Sequence, residues 1–157
     1  MQKIPLTRDQ FAIIDDADFA KVSKHKWHAV KRWNIGYDAT TSVNGKMVRM
    51  SSVVIESKRR SGYVIDHINH DSLDNRKVNL RVCTIAQNQM NRIPSLNTSS
   101  IYKGVYWRKR DKRWYSRISV KGKLKHLGSF VNEKDAAIKY NKAANQFFGE
   151  FAYLNKT

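Results

Sequence analysis

Apolar residues repeat with helical spacing most clearly near the end of the chain. Ala136, Ala137, Tyr140, Ala143, Ala144, Phe147 and Phe148 share one stripe, the pattern of a helix that buries one face. Asn132 stands where an N-cap belongs, Asp135 puts a carboxylate in the first turn, and Gly149 is placed to end the helix. Upstream, the period changes to two. Tyr102–Trp107, Arg113–Val120 and Lys123–Ser129 read as strands, with Lys121-Gly122 turning the last pair. In the middle strand Trp114, Ser116, Ile118 and Val120 point one way, while Tyr115, Arg117 and Ser119 point the other. One face packs on the helix and the other is left for solvent or a ligand.

The first 60 residues read as short strands and turns. Phe11–Ile14, Trp27–Val30 and Ile35–Val43 are extended, Asp15–Ser23 is a short helix, and Asn44-Gly45 is a hairpin turn into Lys46–Met50. Nothing there looks catalytic. The stretch reads as support, with phosphate contacts from Lys31, Arg32, Lys58, Arg59 and Arg60. Residues 93–100, Ile-Pro-Ser-Leu-Asn-Thr-Ser-Ser, have linker composition and divide the chain.

Charge divides with it. The 157 residues carry 30 Lys+Arg against 13 Asp+Glu, a net charge of +17. Residues 1–92 hold 16 basic and 9 acidic residues, and residues 93–157 hold 14 and 4. Between 102 and 125, ten basic residues meet a single acid, Asp111. There Arg110, Arg113, Lys123 and Lys125 are interleaved with Tyr106, Trp107 and Tyr115, a mixture that suits a nucleic-acid backbone. A hydrophobic content of 41% is enough for a core and excludes wholesale disorder. The single cysteine, Cys83, excludes an internal disulfide and a Cys-rich zinc site. No run of about 18 apolar residues occurs, and Met1–Pro5 has no apolar signal core. The expectation is a cytoplasmic protein with no membrane partner and no obligatory protein partner.

Residues 64–92 hold the chemistry. Val64-Ile65 leads into Asp66-His67, a loop over 68–78 is dense in Asn and Asp, and Asn79–Cys83 alternates as a strand does. Thr84-Ile85-Ala86-Gln87 fits a capping box opening a short helix that bears Asn88. Such a strand–loop–strand–helix unit converges side chains from three elements. Phosphodiester hydrolysis needs a base for water and a cation against the phosphate and leaving oxygens. A hard divalent ion keeps several waters, so one or two protein oxygens suffice; Asp66 and the Asn88 amide can supply them. A histidine titrates near neutrality, so His67 suits the base, and Asn79 can orient it through its amide or backbone. Asp74 and Asn75 read as closing the loop by side-chain-to-backbone bonds, and His70 as a polar loop residue. His25, His28 and His126 read as structural or DNA-facing.

Asp66-His67-Ile68-Asn69, Leu73-Asp74-Asn75-Arg76, Asn79-Leu80-Arg81 and Asn88 together resemble the HNH endonuclease family, over roughly residues 45–92. They are most similar to the phage and mobile-element homing endonucleases whose final motif residue is Asn. Ile4-Pro5-Leu6-Thr7 and Asp15-Asp16 resemble the leader region of those proteins. The resemblance implies a ββα-metal fold around one divalent ion, Mg²⁺ or else Mn²⁺. By position it makes His67 the general base, Asn79 the residue that orients it, and Asp66 and Asn88 the metal ligands. One departure stands out: relatives usually carry His-Arg after the strand matching 46–50, where this chain has Ser51-Ser52.

Tyr102-Lys103-Gly104-Val105, Trp114, Leu127-Gly128-Ser129-Phe130, Asp135-Ala136-Ala137, Tyr140, Ala143-Ala144, Phe148-Gly149 and Leu154-Asn155 resemble the plant Apetala-two (ethylene-response-factor) DNA-binding domain, over about residues 100–155. This resemblance implies a sheet that enters the major groove. It puts Lys103, Tyr106, Arg108, Arg117, Ser119, Leu124 and His126 on the DNA side. Leu124 and His126 stand where the plant proteins usually have Arg and Trp, so base specificity does not transfer.

The expected architecture is α+β. An HNH nuclease domain occupies residues 1–92, with its ββα-metal core at about 62–92. A linker at 93–100 leads to a small three-stranded antiparallel sheet packed on one helix, in residues 101–157. The expected function is a metal-dependent, site-preferring endonuclease that nicks one strand of double-stranded DNA as a monomer; a dimer would supply a second cut. The alternatives are a non-catalytic DNA-binding protein with a degenerate nuclease half, and a basic RNA-binding protein.

Overall fold

The computed structural model describes residues 1–32, 36–56, 61–95 and 98–157. Ile35, at the start of an expected strand, the expected phosphate contacts Lys58, Arg59 and Arg60, and residues 96–97 of the expected linker lie outside the described residues. The fold is mixed α+β with small antiparallel sheets and few helices. The chain forms two compact units, Met1–Ile85 and Ala86–Thr157.

The first unit opens on a hairpin of β1 (Gln2–Pro5) and β2 (Phe11–Ile14). A 3-10 turn at Asp16–Asp18 runs into the one-turn helix α1 (Phe19–Val22), inside the segment expected to be helical. β3 (His28–Arg32), β4 (Gly36–Val43) and β5 (Lys46–Arg49) then pair antiparallel in that order. Asn44 and Gly45 join β4 to β5 with φ of 51° and 72°, the two-residue turn that Asn-Gly favours. The helix α2 (Met50–Ile55) follows. Its run of serines and β-branched residues gave no helical signal; burial of Met50 and Val54, one turn apart, overrides propensity. β6 (Tyr63–His67) and β7 (Leu80–Thr84) pair antiparallel and carry the residues of chemical interest.

These two strands rest on the N-terminal sheets. Ile4, Ala12, Ile14, Val22, Trp27, Ala39, Met50, Val54 and Leu80 form one core, with Ile65 and Leu73 packed against it. Leu80 is 6% exposed, and burying such a side chain is worth roughly 1.5–3 kcal/mol. The loop between the strands is held too. Ile13 donates to the Leu73 carbonyl at 2.8 Å, and the Asn75 N–H donates to the Ile13 carbonyl at 2.7 Å. The Lys77 N–H reaches Asp15 Oδ2 at 2.8 Å, and the Ser72 hydroxyl reaches the Tyr37 carbonyl at 2.6 Å.

The second unit begins inside α3 (Ile85–Asn91), upstream of the residues with linker composition. Lys103 supplies a physical reason. Its ammonium donates to the carbonyls of Met90 and Arg92, both at 2.7 Å, and of Gln89 at 3.4 Å. These groups end the helix, where carbonyls lack intrahelical partners. β8 (Val105–Arg108), β9 (Arg113–Val120) and β10 (Lys123–Phe130) form a sheet in the order β10-β9-β8. The helix α4 (Glu133–Phe148) covers one face of it.

Ile118, Tyr140, Ala143 and Ala144 form one apolar cluster; Val105, Ala136 and Ala137 form another. β8 starts at Val105, later than the alternation suggested, because the chain turns at Gly104 with φ of 76°. Asn132 is the N-cap residue as expected, but its amide donates to Asp135 at 3.2 Å instead of accepting from the backbone. Phe147, expected on the buried stripe, is 41% exposed.

Candidate functional site

Asp66 and His67 end β6, and the pleat gives them different surroundings. Asp66 is buried and lies directly across from Arg81. The Arg81 guanidinium donates to Asp66 Oδ2 through Nε at 2.9 Å and Nη2 at 2.7 Å. His67 is half-buried, and its Nε2 lies 3.2 Å from Asn75 Oδ1. The Asn75 amide nitrogen donates to the carbonyls of Ser72 and Leu73, at 3.4 and 3.3 Å. Those bonds turn Asn75 Oδ1 toward the ring as an acceptor, so the ring nitrogen facing it carries the proton. In the neutral tautomer with that proton, the lone pair is on Nδ1.

Asn79 was expected to orient the imidazole through its amide or its backbone. Its side chain is instead spent on the loop: Oδ1 accepts from the Asn69 N–H at 2.9 Å, and Nδ2 donates to the Asp74 carbonyl at 2.7 Å. Its own carbonyl accepts from the Ile68 N–H at 2.9 Å, so its hold next to His67 is through the backbone. Asp74 closes the loop from within. Arg76 grips it with two bonds, at 2.7 and 2.6 Å, and Asn69 Nδ2 adds a third at 2.9 Å. Arg76 holds the Asp74 carboxyl below the usual carboxylate range. Asn75 and Arg81 are the residues that pattern reasoning left without a part in the site. Arg81 could have been found from strand register, since it falls opposite Asp66. Asn75 could not, because its contact depends on the path of the loop.

Residues 60–90 match the HNH endonuclease family. An uncharacterized HNH endonuclease of Acanthamoeba polyphaga mimivirus is 36% identical over 151 residues, covering 93% of this chain and 75% of that protein. The chain belongs to the HNH endonuclease family. Protein 3.8 of Escherichia phage T7 is 36% identical over 69 residues, covering 43% of this chain and 56% of its own. No solved structure matches.

In this HNH endonuclease the expected ligand residues lie on different elements: Asp66 on β6, and Asn88 on α3 in the second unit. Among the described residues no three His, Cys, Asp or Glu side chains gather as a metal-binding group. A buried carboxylate such as Asp66 suits a hard divalent ion that retains most of its waters. No helix among the described residues is long and apolar enough to cross a membrane.

The second unit of this HNH endonuclease carries a cationic aromatic face. Tyr106 pairs with Tyr115, Arg108 with Arg113, Arg117 with His126, and Ser119 with Leu124, so these side chains share the face turned away from α4. The Tyr106 and Tyr115 rings stack at 5.7 Å. The Arg117 guanidinium lies 4.7 Å from the Tyr106 ring centre and that of Arg108 lies 5.3 Å from Tyr115. Asp111 accepts from the Tyr115 hydroxyl at 2.5 Å and from Arg110 at 2.9 Å. The Tyr115 hydroxyl, then Arg110, lowers its pKa.

Three of the residues expected at the DNA are not on this face. Lys123 and Lys125 pair with Val120 and Ile118, which puts them on the helix side of the sheet. Lys103 is turned inward onto α3, and burial, with Arg92 nearby, lowers its pKa to about 8.

Proposed function

We propose that the chain is a metal-dependent DNA endonuclease of the homing type that hydrolyses one phosphodiester bond per encounter and so nicks one strand. The observation that supports this most is the Asn75–His67 contact: an amide oxygen facing Nε2 favours the proton there, the tautomer that suits Nδ1 to act as base for water. Asp66 and Asn88 would hold a divalent ion, Mg²⁺ or Mn²⁺, which when bound supplies charge stabilisation to the phosphate and the leaving 3′ oxygen. Arg81 holds the Asp66 carboxylate in place through two hydrogen bonds to Oδ2. Asn79 and Asp74 hold the loop rigid under His67. The ββα-metal arrangement, the ligand pair and the homing habit rest on the motif resemblance.

The second unit is read as an Apetala-two-like domain that grips double-stranded DNA with the face of Tyr106, Arg108, Tyr115, Arg117 and His126. One nuclease motif per chain makes a monomer a nickase, and two chains are needed for paired cuts. A second reading is a DNA-binding protein without catalysis. It is favoured by the guanidinium already seated on Asp66 Oδ2 and by Ser51, which is buried where relatives usually carry His.

Cleavage and binding measured on His67→Ala separate the two readings. The endonuclease reading expects cleavage to be lost with DNA affinity nearly unchanged. Cleavage and affinity falling together would remove His67 from the role of base.

A further inference from the structure

Between β10 and α4 runs a groove of about 470 Å³ whose walls include Lys125, Lys139, Lys142, Leu127 and Phe147. Lys125 reaches it because the pleat sends that side chain to the helix side of the sheet, away from Arg117. Lys139 and Lys142 stand three residues apart on α4, a spacing at which like charges destabilise a helix. Among the described residues the lysine ion pairs are those of Lys21 and Lys77, so these three ammonium groups converge without a carboxylate partner. The Phe147 ring gives the groove an apolar wall, with Lys125 Nζ 5.8 Å from its centre. His126 also lines the groove, although its strand partner is Arg117 on the opposite face. β10 is an edge strand of the sheet, so the two cationic surfaces meet around that edge.

We infer that this groove is a second phosphate site, which takes the backbone of a duplex as it passes from the sheet face around β10 toward α4. The inference rests on the reading that the second unit binds DNA. Three unpaired cations and no acid complement a polyanion, and continuity through His126 favours the same nucleic acid over an acidic protein. Contacts of this kind add affinity and fix orientation without reading bases.

The test uses the full chain, a fluorescently labelled duplex and a NaCl titration followed by anisotropy. The groove variant is Lys139→Gln with Lys142→Gln; the control, equal in charge, is Lys134→Gln with Lys156→Gln. Two lost phosphate contacts are expected to lower the slope of log K against log[salt] by about 1.8, with unchanged melting and base preference, while the control keeps the wild-type slope. A groove variant with the wild-type slope, or a control that changes as much, overturns the inference. Arg117→Gln tests the underlying reading separately. If it leaves duplex affinity intact, the sheet face is not the DNA surface, while the groove stands or falls on its own slope.

Discussion

Asn75 Oδ1 faces His67 Nε2 at 3.2 Å, and the same amide is pinned by two loop carbonyls. Replacing Asn75 by Ala removes the group that selects the tautomer. A positioned general base contributes about 10²–10⁴ in rate, and losing its orientation forfeits part of this. Asn75→Ala is expected to slow single-turnover cleavage roughly 10- to 100-fold with duplex affinity retained. Cleavage at the wild-type rate would show that the imidazole needs no such partner.

Arg81 and Asp66 form a pair whose side chains are 12% and 8% exposed. Removing one partner of a buried pair costs about 3–5 kcal/mol. Arg81→Met is therefore expected to lower the urea midpoint strongly. The double variant Arg81→Met with Asp66→Leu is expected to recover most of that loss while abolishing cleavage. Additive losses in this double-mutant cycle would mean that the two groups contribute independently.

Much of this was legible in the sequence. Period-two alternation placed β9 at Arg113–Val120, the helical stripe marked α4, and Asn44-Gly45 marked its hairpin. Asp66, His67 and the loop between the strands were found by motif. What escaped depends on three-dimensional paths. The inward turn of Lys103 is set by the end of α3, which no local pattern near residue 103 reveals. The Asn75 contact depends on a loop docked on β2, and α2 on burial that outweighs poor helix formers. The turn of Lys125 to the helix side follows from strand register counted from Ile118, which charge alone does not reveal.

Gly104 sits beneath Tyr140. A Cβ at this position would lie 2.1 Å from Tyr140 Cδ2 and 2.6 Å from the Arg117 carbonyl, at a φ of 76°. Neither the buried ring nor the β9 backbone can yield cheaply. Gly104→Ala is expected to cost at least about 3 kcal/mol and to unfold the second unit, with duplex binding lost in parallel. Near-normal thermal melting would contradict this packing.

Lys103 gives the second unit a pH dependence of unusual sign. Burial and the nearby Arg92 lower its pKa to about 8, below the ~10.4 of an unfolded lysine. Between those values the unfolded chain binds more protons than the folded one, so stability rises with pH. The buried charge is a cost below about pH 8 that is relieved as pH climbs toward ~10.4. Tyr140, pushed by burial up to about 12, acts oppositely above about pH 10, the ordinary tyrosine value. Urea melts at increasing pH are therefore expected to show wild type gaining stability relative to Lys103→Met from pH 8 to 10. A constant difference would mean that the three carbonyls at the end of α3 hold the ammonium charged throughout.

Metal-dependent strand cleavage converts supercoiled plasmid to open circle. The protein would be incubated with plasmid and Mg²⁺ or Mn²⁺, beside an EDTA control and His67→Ala. Conversion to open circle, absent from both controls, is the expected result. Intact supercoiled DNA with either ion, at protein concentrations where the duplex is fully bound, would contradict the endonuclease and leave a DNA-binding protein that does not cut.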